Sequence, residues 1–341
     1  MTQKTIIIAE AGVNHNGNFE NAIKLIEKAA EAGADYVKFQ TFKADNLVTK
    51  SAKKAAYQEK NVNDGDDSQY LMLKKLEMPF EWHYKLQKHA VINGIKFLST
   101  GFDEESIDFL DSLGIDLYKI PSGEITNKHY LQHIAKKGKP IIISTGMSTM
   151  DDIKAAVKVI CDQGIRRSNV IVLHCNTEYP TPMMDVNLKA MESIKNEIGV
   201  EVGYSDHTLG IEVPIAAVAL GATVIEKHFT LDKNLPGPDH LASLEPSELK
   251  EMISAIRNIE KAISGDSKKK PSNSELKNIQ IVRKSLHYSK SRGKGHIIQE
   301  HDLVALRPGN GISPMEIDNF IGKELLYDVT EFTQVEIKHF K

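Results

Sequence analysis

Two histidines, His207 and His228, each close a short apolar run, in "VEVGYSDH" and "ATVIEKH". Imidazoles delivered by neighbouring strands can share one divalent cation, since imidazole suits manganese, iron, cobalt, nickel or zinc and two ligands leave positions open for water and substrate. Glu10, at the end of the first apolar run, and Asp239 could assist directly or through water. Two lysines, Lys38 and Lys119, stand in comparable places, and the hydroxyls of Ser122, Ser144 and Ser205 recur with them. A cationic, donor-rich pocket of that make-up suits a phosphate and a carboxylate together. Each residue alone has a plainer use. A strand-end lysine commonly pairs with a carboxylate, here Glu10 or Glu124, and a buried histidine is commonly a hydrogen-bonded core residue. Their accumulation is what points to a ligand, because polar groups gathered in one mouth cost stability unless paired.

The elements that must position these residues alternate along the chain. Strand-like runs are "TIIIAEAG", "DYVKFQ", "IKFLST", "DLYKIPS", "PIIIST", "VIVLHC", "VEVGYS" and "ATVIEKHF". Runs such as "IIIA" and "VIVL" are apolar without alternation, as expected of strands covered on both faces. Helical segments lie between most of them. In "NFENAIKLIEKAAEAGA" the residues Ala22, Ile23, Ile26, Ala29 and Ala30 share one face, which is the pattern of an amphipathic helix. Eight such units predict an α/β fold, a (β/α)8 TIM barrel, whose active site sits at the C-terminal ends of the strands. That rim carries Glu10, Lys38 and Gln40, Lys119 with Ser122 and Glu124, Ser144, His174 and Asn176, Ser205-Asp206-His207 and Glu226-Lys227-His228. An open doubly wound sheet would show a glycine-rich phosphate loop after the first strand, and "EAGVNHNG" is not one.

The barrel pattern spans 1–265. The stretch 266–282, "DSKKKPSNSELKN" onward, is polar and broken by proline, and reads as a linker with room for a short helix. A small mixed domain over 283–341 follows, of a size that is marginal by itself. A formal net charge of -3 over 341 residues gives no reason to expect nucleic acid or an acidic membrane surface. The run Lys268-Lys269-Lys270 reads as solvated linker. No apolar stretch approaches the roughly 20 residues that cross a bilayer, and "MTQKTIIIAEAG" lacks a signal-peptide core, so no membrane partner is expected. Two cysteines, Cys161 and Cys175, in separate elements fit a reducing, cytoplasmic setting better than a disulfide framework.

The segments "AEAGVNHNG", "VKFQTFKA", "YKIPSGE", "ISTGMS", "LHCNTEYPTP", "GYSDHT", "EKHFTLDK", "GPDHLASLEP" and "RPGNGISP" together resemble the N-acetylneuraminate (sialic acid) synthases and their nonulosonate relatives. The resemblance runs along essentially the whole chain and includes, at the C-terminal end, the antifreeze-like (SAF) domain of that family. It implies condensation of phosphoenolpyruvate with an open-chain N-acetylated amino sugar, helped by a divalent metal, usually Mn2+, with Mg2+ or Co2+ as alternatives. It matches His207 and His228 to the metal ligands and Glu10 to a catalytic carboxylate near the aldehyde. It matches Lys38, Lys119, Ser122, Ser144, Asn176, Thr177 and Ser205 to the phosphoenolpyruvate pocket, and Gln40, Glu124, Tyr179 and Asp239 to the sugar pocket. Arg307, in "RPGNG", resembles an arginine that reaches the partner's sugar in a domain-swapped homodimer. One departure is visible: where some members carry Cys-Thr-Asn after the sixth strand, this chain has Cys175-Asn176-Thr177.

N-acetylneuraminate from N-acetylmannosamine is the product expected first. Legionaminic acid from 2,4-diacetamido-2,4,6-trideoxymannose is the alternative, since its synthases share nearly every motif. A Schiff-base aldolase using Lys119 or Lys227 would need no metal. A non-catalytic carbohydrate-binding protein would have an eroded mouth, whereas Glu10, Lys38, Lys119, His207 and His228 are all present.

Overall fold

Strands and helices alternate from the first residues of the computed structural model, which describes residues 4–340. The strands are β1 (Ile6–Gly12), β2 (Tyr36–Thr41), β3 (Lys96–Gly101), β4 (Tyr118–Ile120), β5 (Ile141–Ser144), β6 (Val170–Cys175), β7 (Glu201–Asp206) and β8 (Val224–His228). All eight coincide with the apolar runs of the sequence. They are parallel and follow the order β3-β2-β1-β8-β7-β6-β5-β4. The ends of that order, β3 and β4, lie side by side, so the sheet forms a nearly closed α/β TIM barrel.

The helices are α1 (Phe19–Ala32), α2 (Ala44–Leu47), α3 (Ala56–Val62), α4 (Gln69–Leu76), α5 (Phe80–Ile92), α6 (Glu104–Ser112), α7 (Lys128–Ala135), α8 (Met150–Asp162), α9 (Ala190–Ile198), α10 (Glu212–Ala219) and α11 (Pro246–Ala262). Side-chain caps start several of them: Asn18 accepts from the Asn21 amide, Asp103 from Ser106 and Thr149 from Asp152. Such caps satisfy amides that the helix itself leaves orphaned. Gly33, at φ 88°, closes α1 in a left-handed turn that a side chain would strain.

Side-chain alternation then divides the barrel into layers. Outward-facing residues of the strands pack with the helices in one large core, for example Ile7, Val37, Ile143 and Val172 against Ile26, Leu86 and Ile160. Inward-facing Ile8, Tyr36, Leu98, Leu117, Ile142, Leu173 and Val224 form a separate apolar plug. Two residues further along each strand the interior turns polar. Since successive side chains point to opposite faces, this second layer is Glu10, Lys38, Thr100, Lys119, Ser144, Cys175, Ser205 and Glu226, all of which line one cavity.

The chain divides into two compact units, 1–264 and 265–341. The stretch expected as linker belongs to the second and holds α12 (Asn273–Val282), whose side chains remain largely exposed. Beyond it β9 (Ser285–Tyr288) pairs antiparallel with β10 (Leu303–Leu306). Leu286, Tyr288, Ile298, Phe320, Leu325, Val335 and Phe340 give this unit its own core. Buried Asp302 is its polar hub: it accepts from Arg292, His296 and the Gln299 amide. Burial would raise its carboxyl, but these donors pull it down to about 2. Among the described residues, no helix is long and apolar enough to cross a membrane.

Candidate active site

The polar layer opens into a cavity of about 590 Å³ at the C-terminal ends of the strands, where barrels of this kind carry their chemistry. Register brings its first row together: Glu10 stands opposite Lys38 of β2 on one side and opposite His228 of β8 on the other. Lys38 Nζ lies 2.7 Å from Glu10 Oε2 and 3.6 Å from Glu226 Oε2. Lys119 Nζ lies 3.4 Å from Glu226 Oε1. All four are buried, so the charges meet where water screens them least.

Their protonation follows from that burial. Burial pushes the Glu10 carboxyl up to about 7, against the pull of Lys38 and helped by the nearby Glu226. Burial acts the same way on Glu226, but Lys119 and Lys38 outweigh it and hold this carboxyl down at about 2. The Lys119 ammonium is lowered by desolvation, which Glu226 only partly offsets. One carboxylate therefore carries the fixed negative charge, and the other can hold or release a proton near neutrality. Ser205 donates to Glu226 at 3.0 Å. Ser144 Oγ is buried with no partner among the described residues, a donor waiting for an acceptor.

The imidazoles form the second cluster. His207 and His228 have ring centroids 5.2 Å apart. His207 Nδ1 donates to the Asn176 carbonyl; a carbonyl can only accept, so the Nε2 lone pair is left free. His228 Nδ1 is buried without a hydrogen-bond partner, and Asp239 Oδ2 is 3.9 Å away. Desolvation lowers His207 to about 4 and pushes His228 well below the usual imidazole range, so both rings are neutral. Neutral rings with free lone pairs, one of them oriented by a backbone carbonyl, have the chemistry of metal ligands. No cluster of three or more His, Cys, Asp or Glu forms a complete cage among the described residues. The donor set thus fits a divalent cation held by two imidazoles and completed by water or substrate. Burial pushes Asp239 up to about 7.

Aromatic stacking fixes this end of the cavity. Tyr179 stacks on His207 at 4.1 Å and meets His228 edge-on at 5.6 Å. Tyr57, on α3, stacks on Tyr179 at 4.9 Å. Asn61 Nδ2, on the same helix, donates to the carbonyls of Tyr179 and Pro238. It ties α3 to both the loop that carries Tyr179 and the loop that carries Asp239.

A sequence profile described as the NeuB family matches residues 25–269. The N,N'-diacetyllegionaminic acid synthase of Campylobacter jejuni is 57% identical over 94% of this chain and 96% of that protein. The enzyme of the same description from Legionella pneumophila is 51% identical over 98% of this chain and 94% of its own length. The chain belongs to the NeuB family. It is an enzyme, a phosphoenolpyruvate-dependent nonulosonate synthase. Among solved structures, the N-acetylneuraminic acid synthetase of Leptospira borgpetersenii superposes with a TM-score of 0.70 at 32% identity, covering 82% of this chain and 91% of that one.

In this NeuB-family barrel, the cavity gathers Glu10, Lys38, Gln40, Lys119, Ser122, Glu124, Ser144, Thr177, Tyr179, Ser205, His207, His228 and Asp239. Asn176 is not among the lining residues: its Oδ1 accepts from the Glu178 amide and the Thr181 hydroxyl, while its neighbour Thr177 lines the wall. Arg307 lies in the second unit, exposed, with Nε donating to the Val282 carbonyl. Of the plainer pairings open to the lysines, Lys38 does meet Glu10, but Glu124 accepts from Asn127 and Glu226 takes Lys119. Lys227 is also outside the cavity. It is fully buried and bonded to Asp206 at 2.6 Å, which leaves Lys119 as the lysine of that pair with access to a substrate.

Sequence reasoning missed two sets of residues. Glu226 was named on the rim but not as the shared partner of both lysines. The segment from Phe42 to Leu76 was not assigned, yet Phe42, Leu47, Tyr57, Gln58, Gln69, Met72 and Leu76 all line the cavity.

Proposed function

We propose that this chain is an N,N'-diacetyllegionaminic acid synthase, joining phosphoenolpyruvate to open-chain 2,4-diacetamido-2,4,6-trideoxymannose with release of phosphate. The observation that carries the choice of sugar is the 57% and 51% identity, over nearly full length, to two synthases of that product. The sequence alone placed N-acetylneuraminate first; the relatives favour its alternative, while sialic acid synthases resemble the chain at the level of the family.

In this reading Lys38 and Lys119 receive the phosphate and carboxylate of phosphoenolpyruvate, with Ser144 and Ser122 as neutral donors. Glu226 keeps both ammonium groups charged in a buried place. His207 and His228 would hold a divalent cation, manganese in the first instance, which supplies Lewis acidity toward the aldehyde when bound. The methylene carbon of phosphoenolpyruvate forms the new bond to the aldehyde carbon, whose oxygen takes a proton and becomes a hydroxyl; water adds at the former enol carbon, and phosphate leaves with its bridging oxygen by C–O cleavage, the two protons of that water ending on the new hydroxyl and on the phosphate. Glu10, poised near neutrality beside Lys38 and His228, accepts a proton as water adds. The fixed lysines and carboxylates favour charge that appears only in the transition state, and they need no reorganisation to do so. Gln40, Glu124, Tyr179 and Asp239 face the sugar.

We assign the second unit to the antifreeze-like module of the family, and Arg307 to the partner's sugar in a domain-swapped homodimer. A phosphate-release assay with phosphoenolpyruvate and each of the two sugars tests the reading. The diacetamido sugar should give a kcat/KM at least about tenfold above that of N-acetylmannosamine, well within what one pocket can discriminate. The reverse order would overturn the choice of sugar.

A further inference from the structure

The cavity is polar at one end only. Along β2 the inward positions are Lys38 and Gln40, and Phe42 follows just past the strand. Each step of two residues moves the inward side chain further toward the mouth, so Phe42 lies beyond Gln40, and Gln40 beyond Lys38. Around it the segment between β2 and α5 packs a small core of its own, with Val13, Phe42, Met72 and Leu76 buried and Leu47 and Leu73 partly so. These same residues line the cavity. The mouth on this side is therefore a built apolar surface.

The polar groups that the segment offers are few and specific. Gln58 Oε1 accepts from the Ala55 amide at 3.0 Å and from Gln69 Nε2 at 3.3 Å. Both of its lone pairs are engaged, so this side chain can offer a ligand only N–H donors. That is the complement of an acetamido carbonyl.

We infer that the wall of Phe42, Leu47, Met72 and Leu76, with the amide of Gln58 set into it, selects an N-acetylated deoxy sugar over a fully hydroxylated one. The inference rests on the reading above. If the aldehyde lies at His207 and His228 and the phosphate at the lysines, the sugar's distal carbons extend toward the remaining side of the cavity. There a C6 methyl meets apolar carbon, whereas a hydroxymethyl loses its water and gains no partner. A second acetamido group meets Gln58. An apolar pocket rejects an added hydroxyl by up to about a hundredfold, which sets the scale of the effect.

The test uses the full-length enzyme and three acceptors: N-acetylmannosamine, its 6-deoxy analogue, and the 2,4-diacetamido-2,4,6-trideoxy sugar. Wild type should prefer the 6-deoxy analogue to N-acetylmannosamine, and Met72→Gln should cut that ratio of kcat/KM about tenfold without moving the KM for phosphoenolpyruvate. Gln58→Leu should lower kcat/KM for the diacetamido sugar relative to the 6-deoxy one, also by about tenfold. If Met72→Gln unfolds, Leu47→Gln, partly exposed on the same wall, puts the same question. A wild-type preference for N-acetylmannosamine over its 6-deoxy analogue, or ratios unmoved in folded variants, would overturn the inference. Weak use of the diacetamido sugar alone would overturn the preceding choice of product, since the two monoacetamido acceptors still report on the wall.

Discussion

Lys119→Met puts the electrostatics of the pocket to a quantitative test. The substitution keeps the apolar stem, one atom shorter, and removes one charge. With Glu226 ionised, the two lysines leave the pocket one positive charge in surplus, and any ionised fraction of Glu10 cancels part of it. Without Lys119, Lys38 remains 3.6 Å from Glu226 and 2.7 Å from Glu10, and the surplus is gone. A hydrogen bond to a charged group contributes about 1.5–3 kcal/mol. The KM for phosphoenolpyruvate should therefore rise about 10- to 150-fold, at 1.4 kcal/mol per tenfold. The KM for the sugar should stay nearly unchanged, because the proposed sugar contacts lie at Gln40, Glu124, Tyr179 and Asp239, and Glu124 bonds Asn127 and not Lys119. Two-substrate initial-rate kinetics separate the two constants, and a thermal melt verifies folding. Glu226 keeps Lys38 and Ser205 as partners, so the barrel should survive. The wild type carries an internal control in its pH dependence. Burial lowers the Lys119 ammonium, so its charge and the capture of phosphoenolpyruvate should fade at a lower pH than for an ordinary lysine. Lys119→Met should lack that alkaline limb. Equal rises in both Michaelis constants, or no rise for phosphoenolpyruvate, would refute the assignment.

Two further perturbations address the other halves of the site. If His207 and His228 hold the metal, manganese at about a hundred times its Kd should stabilise the wild type by about 2.7 kcal/mol, and neither His207→Ala nor His228→Ala should show that shift or any turnover. Full activity after exhaustive chelation would reject the metal. If Arg307 serves a partner's barrel, Arg307→Ala should weaken sugar binding and spare phosphoenolpyruvate, and mixing it with His207→Ala should restore up to about a quarter of wild-type activity in randomly exchanged dimers. No recovery after exchange has been verified with tagged subunits would rule out the swapped site.

The barrel was legible because its strands are covered on both faces. Runs such as "TIIIAEAG" and "VIVLHC" are apolar enough to stand out, and a solvated strand would have left a weaker mark. The segment from Phe42 to Leu76 was not legible for the opposite reason. Its helices are short, four residues for α2 and seven for α3, and α3 buries no residue. Neither period nor propensity marks such pieces, and their positions follow from contacts distant in sequence. Asn61 reaches the carbonyls of Tyr179 and Pro238, more than a hundred residues away, and Met72 packs with Val13 and Phe42. Tyr57 and Gln58 become site residues only through that packing.

Within the strands, the errors share one cause, and the sequence held the means to avoid them. Side chains alternate between the faces of a strand, so parity relative to one known inward residue decides which neighbours join it. Taking His228 as inward puts Glu226 inside and Lys227 outside, as found. Just past β6 the same spacing continues, with Cys175 and Thr177 lining the cavity and Asn176 between them not. The same count along β2 sets Lys38 and Gln40 inward. What parity cannot supply is the choice of partner between strands, because that depends on the tilt and register of the closed sheet. Lys119 faces the interior whichever carboxylate it meets. That it meets Glu226 from β8, across the barrel, and leaves Glu124 to Asn127, is a property of the closure. The buried charge pattern on which the proposed chemistry rests is thus written partly in the alternation of single strands and partly in the geometry that brings them round.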